Sequence, residues 1–230
     1  MTVSALEFSQ ELSTNPKPAA ERAAILANPG FGDYFTDHTA VIDWKAGESG
    51  EQEWQNARIE PYGPISIDPA AGVLHYGQEI FEGLKVYRHA DGSVVSFRPE
   101  ANAARLNLSA RRLALPELPE ELFLESIRQL VALDQDWIPD GDGAALYLRP
   151  FMIGTNPVIG VKPATEFEFR IFVTPVGPYF KGGVKPIALT VSDFDRAAPH
   201  GTGAIKAGLN YAMSLHPVME AHRAGFAENM

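Results

Sequence analysis

A chain of 230 residues with 45% apolar content can bury a real core, as one large domain or two smaller ones. The formal charge of −10 without any Lys/Arg cluster argues against a nucleic-acid partner, and the absence of cysteine excludes disulfides, thiolate metal sites and a cysteine nucleophile. The histidines lack metal-ligand spacing, no Gly-x-Ser-x-Gly elbow occurs, residues 1–10 carry no signal pattern and no apolar run approaches a membrane span; a cytoplasmic protein without metal or membrane association is expected.

Residues 1–30 are polar and proline-containing, and predict a loosely packed arm with at most a short helix over Ala19–Ala27. Alternating β-branched and aromatic residues over Phe35–Trp44 and Glu53–Glu60, around Gly47-Glu48-Ser49-Gly50, predict a hairpin. A second hairpin is expected from Gly83–Arg88 and Val94–Arg98 about an Asp91-Gly92 turn. Pro99 then opens a helix to about Arg112, with Ala103, Leu106, Ala110 and Leu113 on one face. Pro119 opens a second helix, with Leu122, Ile127, Leu130, Val131 and Leu133 inward. Strands are expected at Ala145–Arg149, Glu168–Val176 and Ile187–Ser192. Glycines and a proline within residues 177–183 mark a domain boundary. After Lys206, the residues Tyr211, Leu215, Val218, Met219 and His222 share a helical face ending at Gly225. Either Pro217 kinks a helix begun near Asn210, or Ser214 opens a shorter one with Pro217 in its first turn.

The stretch Gly201-Thr202-Gly203-Ala204-Ile205-Lys206-Ala207-Gly208-Leu209-Asn210-Tyr211 sets one lysine among small residues. Glycines allow close backbone approach to a bound group, so such a loop can present a lysine for Schiff-base chemistry; a solvated loop lysine is the plain alternative. The Walker and dinucleotide-binding patterns both fail here, since Ala207 follows Lys206 and Lys206 stands where a third glycine is needed.

Taken together, His75–Lys85, Phe97-Arg98-Pro99 through Arg105, Leu146–Pro150, Val176–Phe180 and Gly203–Tyr211 resemble the branched-chain amino-acid aminotransferases, fold-type IV enzymes dependent on pyridoxal 5'-phosphate. The resemblance runs from Phe31 to Gly225. It implies an α+β, two-domain fold: a small α/β sandwich domain over residues 1–176 with a 1–30 arm, a linker at 177–184, and the first part of a larger, barrel-like α/β domain at 185–230. It implies transamination of leucine, isoleucine and valine with 2-oxoglutarate by a homodimer. Lys206 would hold the cofactor as an aldimine and move the proton, Arg105 would bind its phosphate and Tyr211 its phenolic oxygen. Phe31, Tyr76, Phe81, Tyr147 and Tyr179 would wall an aliphatic pocket, and Arg149 would meet the distal carboxylate of 2-oxoglutarate.

Members of that family continue further and supply there an acid for the pyridine nitrogen and glycine- and threonine-rich phosphate turns. The expectation is that the 230-residue chain alone binds the cofactor weakly and does not turn over. Two alternatives stand beside the leading one: another fold-type IV enzyme, such as D-amino-acid aminotransferase or aminodeoxychorismate lyase, and a catalytically incompetent fragment.

Overall fold

Two long strands in the middle of the sheet each sort their residues by alternation into two chemically different sets, and the architecture follows from that sorting. The structure is a computed structural model that describes residues 6–46, 52–178 and 185–230. In chain order its elements are β1 (Ser9–Gln10), α1 (Ala19–Ala27), β2 (His38–Ala46), β3 (Gln52–Pro61), α2 (Gly72–Tyr76), β4 (Glu79–Phe81), β5 (Leu84–Arg88), β6 (Val94–Ser96), α3 (Pro99–Arg112) and α4 (Glu120–Leu133). A single 3-10 turn at Gln135–Trp137 leads on to β7 (Ala145–Gly154), β8 (Glu166–Val176), β9 (Leu189–Thr190), α5 (Gly208–Ala212), α6 (Leu215–Arg223) and β10 (Glu228–Asn229).

An eight-stranded sheet runs in the order β1-β3-β2-β8-β7-β5-β6, with β4 also paired to β7. Along β7 and β8, Leu146, Leu148, Met152, Phe167, Phe169, Ile171 and Val173 enter the core shared with α3 and α4. The intervening Tyr147, Arg149, Phe151 and Phe172 are left on the opposite face, because successive strand side chains point to opposite sides. Phe123 of α4 meets Phe169 of β8 with ring centroids 5.9 Å apart, both fully buried. Each such side chain contributes about 1.5–3 kcal/mol by leaving water.

The expected hairpins and the helix at Pro99–Arg112 are present, and α4 buries Leu122, Phe123, Ser126, Ile127, Leu130 and Val131. The turn expected at residues 47–50 lies outside the described residues. Several expectations need correction. The strand expected to stop at Arg149 continues through Pro150 to Gly154. Proline is tolerated there because its carbonyl side faces the break between β4 and β5, where Glu82 N–H donates to Pro150 O at 2.7 Å and no ladder donor is required. The strand expected over Ile187–Ser192 shortens to Leu189–Thr190, paired in parallel with β10 in a separate two-stranded sheet. The segment after Lys206 is two helices, α5 and α6, with Pro217 in the first turn of the second, as in the second of the two readings. Its expected apolar face is not the buried one. Pro217 and Ala221 are buried, while Leu215 and Met219 are exposed.

The N-terminal arm is fastened rather than loose. Its β1 pairs with β3, Ser13 N–H donates to His38 Nε2 at 2.9 Å, and Lys17 N–H donates to Asp37 Oδ1 at 2.9 Å. His38 is in turn oriented by the buried Asp134, 2.6 Å from its Nδ1.

On the same sheet, Glu60 accepts from Arg170 Nη1 and Arg58 Nε, each at 2.8 Å. Burial alone would raise its carboxyl, but these two guanidinium bonds outweigh burial and hold it below the ordinary value. A carboxylate with a depressed folded-state value stabilises the protein above its unfolded value and loses that contribution as pH falls through the folded one. Wild type is therefore expected to be more stable than Glu60→Gln at neutral pH, with the difference closing below the ordinary carboxylate range. Urea midpoints for both proteins across that range check it; a pH-independent difference would contradict it.

Candidate active site

Lys206 lies in a loop that the core holds from both sides. Its neighbours Ile205 and Ala207 are buried, and the intervening residue is thereby turned outward. The Lys206 N–H donates to Ser109 Oγ of α3 at 3.0 Å, and Lys206 O accepts from Phe81 N–H of β4 at 3.1 Å. Asn210, 3% exposed, closes the loop. Its Nδ2 donates to Thr202 O at 2.7 Å and Ile205 O at 2.9 Å, and its Oδ1 accepts from Thr202 Oγ1 at 2.7 Å. A buried amide with this many partners rigidifies the turn it spans.

The approach at Gly203 is equally tight. A Cβ there would lie 2.7 Å from Ala197 C and O and 2.8 Å from Ala198 O, all main-chain atoms that no rotamer change can move. Gly203→Ala is expected to cost about 1–3 kcal/mol by forcing this loop open. Urea denaturation checks the value, and an unchanged midpoint would show that the loop is slack.

On this frame Lys206 Nζ donates to Tyr211 Oη at 2.7 Å, and lies 4.2 Å from the Phe81 ring centroid and 4.7 Å from that of Tyr211. Phe81 and Tyr211 meet edge to face at 5.0 Å. Arg149 stands over Phe81 at 4.8 Å and over Tyr147 at 5.5 Å, and its Nη2 donates to Tyr147 Oη at 3.1 Å. The Arg149 Nε is buried without a hydrogen-bond partner. Phe81, Arg149 and Tyr211, with Glu79, Phe151, Phe172 and Gly208, bound a cavity of about 370 Å³.

Phe31 extends this wall outward. It is 53% exposed, its ring is 5.6 Å from that of Tyr147, and it bridges Val176. Arg105 approaches from α3 with Nε and Nη2 each 2.7 Å from the Glu82 carboxylate, and Asn102 adds a third bond to Glu82 at 2.8 Å. Glu82 is fully buried while the Arg105 side chain is 52% exposed, so the pair holds a guanidinium at the surface from an interior anchor. Hydrogen bonding to Glu82 is also the main reason that Arg105 is held still more firmly protonated than usual.

Lys206, Tyr211, Phe81, Tyr147, Arg149 and, at the rim, Phe31 are thus brought together. Tyr76, at the end of α2, is not: it is 40% exposed, its ring neighbour is His75, and it does not line the cavity. Tyr179 lies outside the described residues. Sequence reasoning missed Glu79, Glu82, Asn102, Asn210 and Arg196, the last with its guanidinium 5.6 Å from the Tyr211 ring. A usable signal existed for Glu82. It falls between apolar Ile80-Phe81 and Leu84, and a carboxylate in such a run needs a cationic partner.

No family model matches the chain. Among curated relatives, a branched-chain-amino-acid aminotransferase of Mycolicibacterium smegmatis is 57% identical over 222 residues, covering 96% of this chain and 59% of the relative. One from Mycobacterium tuberculosis is 53% identical over 227 residues, covering 98% and 61%. Among solved structures, the Escherichia coli branched-chain amino acid aminotransferase superposes with a TM-score of 0.62 at 26% identity, covering 83% of this chain and 59% of that one. The T.th. branched-chain amino acid aminotransferase with pyridoxamine 5'-phosphate gives the same four values. The chain spans about three-fifths of the length of these relatives. Agreement at this level over nearly every residue, with the same fold beneath it, places the chain in the branched-chain-amino-acid aminotransferase family.

Proposed function

We propose that this chain carries the lysine side of a pyridoxal 5'-phosphate site that transaminates leucine, isoleucine and valine with 2-oxoglutarate. The observation that carries the reading is the convergence of residues from β4, β7 and α5 on one cavity, a phenol, a guanidinium and aromatic walls, with the Lys206 amine bonded to that phenol. The residues present fit the cofactor. Lys206 Nζ already pairs with a phenol, and Arg105 offers a half-exposed guanidinium pre-oriented by a buried carboxylate. When bound, the cofactor supplies the electron sink for labilising a substrate Cα–H.

Lys206 Nζ takes that proton and returns it, and Tyr211 Oη, 2.7 Å away, fixes the position from which it does so. Arg105 holds the phosphate, with Glu82 preventing its swing. Phe81, Phe151 and Phe172 exclude water around an aliphatic side chain, each methylene contributing about 0.8 kcal/mol on burial. Arg149 has donors to spare for a second carboxylate, since Nε is unpartnered and Nη2 meets only a neutral phenol. Phe31 stands at the rim, and Tyr179 is assigned to the substrate wall as well; Tyr76, which does not line the cavity, is left out of it.

We further read residues 1–176 as one domain, 177–184 as the linker and 185–230 as part of the cofactor domain; β9 and β10 forming their own sheet supports this. The functional form is taken to be a cytoplasmic homodimer. Among the described residues no helix is long and apolar enough to cross a membrane. A panel of L- and D-amino acids with 2-oxoglutarate tests the reading. In a protein of the relatives' full length, amino transfer from L-leucine, L-isoleucine and L-valine is expected. Transfer from D-alanine alone, or pyruvate release from aminodeoxychorismate, would replace it with another fold-type IV activity.

A further inference from the structure

Arg149 does not face the cavity alone. Two charged residues line it, Arg149 of β7 and Glu79 of β4, in a wall otherwise made of Phe81, Phe151, Phe172, Tyr211 and Gly208. Glu79 cannot turn away freely. Its carboxylate lies against Gly208, at the start of the helix that follows Lys206: a Cβ at Gly208 would overlap Glu79 Oε1, and the nearby Gly208 N–H favours the ionised form. The absence of a side chain at position 208 is therefore what admits the carboxylate. Arg149 is close enough to favour its ionised form electrostatically, yet the two do not form an ion pair, and Arg149 Nε remains buried and unpartnered.

We propose that Glu79 sets the balance between aliphatic and acidic side chains in this pocket: ionised as counter-charge to Arg149 around an aliphatic chain, and protonated from solvent when a second carboxylate binds Arg149. The inference rests on the reading above, in which Arg149 receives the distal carboxylate of a dicarboxylic substrate. The physical reason is that two carboxylates cannot both stay ionised beside one guanidinium in a largely apolar cavity at low cost. One of them takes up a proton. The carboxylate already fixed in the wall and partly desolvated is the one poised to do so. Burial raises the Glu79 carboxyl above its ordinary value, with the Gly208 N–H and Arg149 opposing.

The other charged and titratable groups around Glu79 do not offer an alternative acceptor. From β7 come Arg149 and Tyr147, joined to each other. From the lysine loop and α5 come Lys206 and Tyr211, likewise joined. Behind β4, Arg105 of α3 is bound to Glu82, and Arg112 donates to Gly201 O. Glu79 is thus the carboxylate that a second anion meets on entering the cavity.

The consequence is a proton-linked preference. A dicarboxylate binds with net uptake of a proton, and its affinity falls as pH rises above the ordinary carboxylate range; an aliphatic monocarboxylate shows neither effect through Glu79. Glutarate, which lacks the reacting oxo group, and 4-methylpentanoate are the probes. With the full chain in excess pyridoxal 5'-phosphate, carbon NMR of the Glu79 carboxyl reports its titration, and the Arg149 Nε–H signal reports occupancy even for weak ligands. The expected result is that saturating glutarate moves the Glu79 midpoint up by about one pH unit or more, whereas 4-methylpentanoate leaves it in place. Glu79→Gln, which keeps the side chain's shape without its charge, is expected to strengthen glutarate binding about tenfold at mildly alkaline pH and to abolish its pH dependence.

Glutarate that shifts Arg149 Nε–H but not the Glu79 midpoint overturns the inference and leaves the Arg149 assignment standing. Glutarate that shifts neither, while 4-methylpentanoate binds, overturns both. Failure of both probes to bind defeats the proposed function itself. The wild-type titration decides among these outcomes without the variant, should Glu79→Gln fold poorly.

Discussion

In a protein of the relatives' full length, Lys206→Ala is expected to lower amino transfer by at least about 10²–10⁴-fold, the range for loss of a positioned acid–base group, and to abolish covalent cofactor attachment altogether. The fold is expected to survive. The loop is held by main-chain bonds of residue 206 to Ser109 and Phe81 and by the Asn210 amide, none of which the substitution touches. The side chain itself contributes one hydrogen bond, to Tyr211, so the stability cost should stay below about 1 kcal/mol. Circular dichroism and urea denaturation, run beside an assay with L-leucine and 2-oxoglutarate, separate the two effects. Retained turnover would remove Lys206 from the mechanism, and a collapsed fold would mean that its role is structural.

Arg105→Ala carries the second large effect, and it falls on stability as well as on phosphate binding. The substitution leaves Glu82, which is fully buried, with Asn102 as its remaining side-chain partner. Breaking an ion pair from the side that leaves a buried charge is the costly direction; with Arg105 itself 52% exposed, roughly 2–3 kcal/mol is expected. Adding Glu82→Gln to Arg105→Ala should recover part of that loss, because the buried charge is then gone, while phosphate binding stays impaired. Urea midpoints of the two single variants and the double variant, with pyridoxal 5'-phosphate titrations of each, check both halves. If Arg105→Ala destabilised no more than an ordinary surface substitution, Glu82 would not be the anchor described.

The parts of this fold that are legible in the chain are those set by local pattern. Helix α3 announces itself by Pro99 in its first turn and by Ala103, Leu106 and Ala110 at three- and four-residue spacing, and its bounds come out as expected. Strand β7 is expected to end at Arg149; only the neighbouring strands reveal that the missing donor of Pro150 faces a break in the pairing, so that the strand can continue. The buried face of α6 escapes the sequence because periodicity cannot tell which stripe of a short helix is covered. Pro217 and Ala221 pack inward while the larger Leu215 and Met219 do not.

The candidate site divides in the same way. Lys206, Arg105, Tyr211 and Arg149 are found through segment resemblance, and the geometry then joins most of them. Glu82, Asn102 and Asn210 serve by contacts whose partners are fixed in space and carry no signature in the neighbouring sequence. Glu82 and Arg105 stand 23 positions apart. Glu79 is hidden for a further reason, since its meaning depends on Gly208, a residue whose contribution is the side chain it lacks.

The central claim, that Lys206 is the cofactor lysine, is tested most directly by trapping. The protein is saturated with pyridoxal 5'-phosphate, reduced with borohydride, digested and mapped by mass spectrometry, a procedure that captures even partial occupancy. The expected result is a phosphopyridoxyl label on the peptide containing Lys206 well in excess of that on any other lysine, and its loss in Lys206→Ala. Labelling spread evenly over the exposed lysines, with Lys206 no more reactive than the rest, would contradict the assignment.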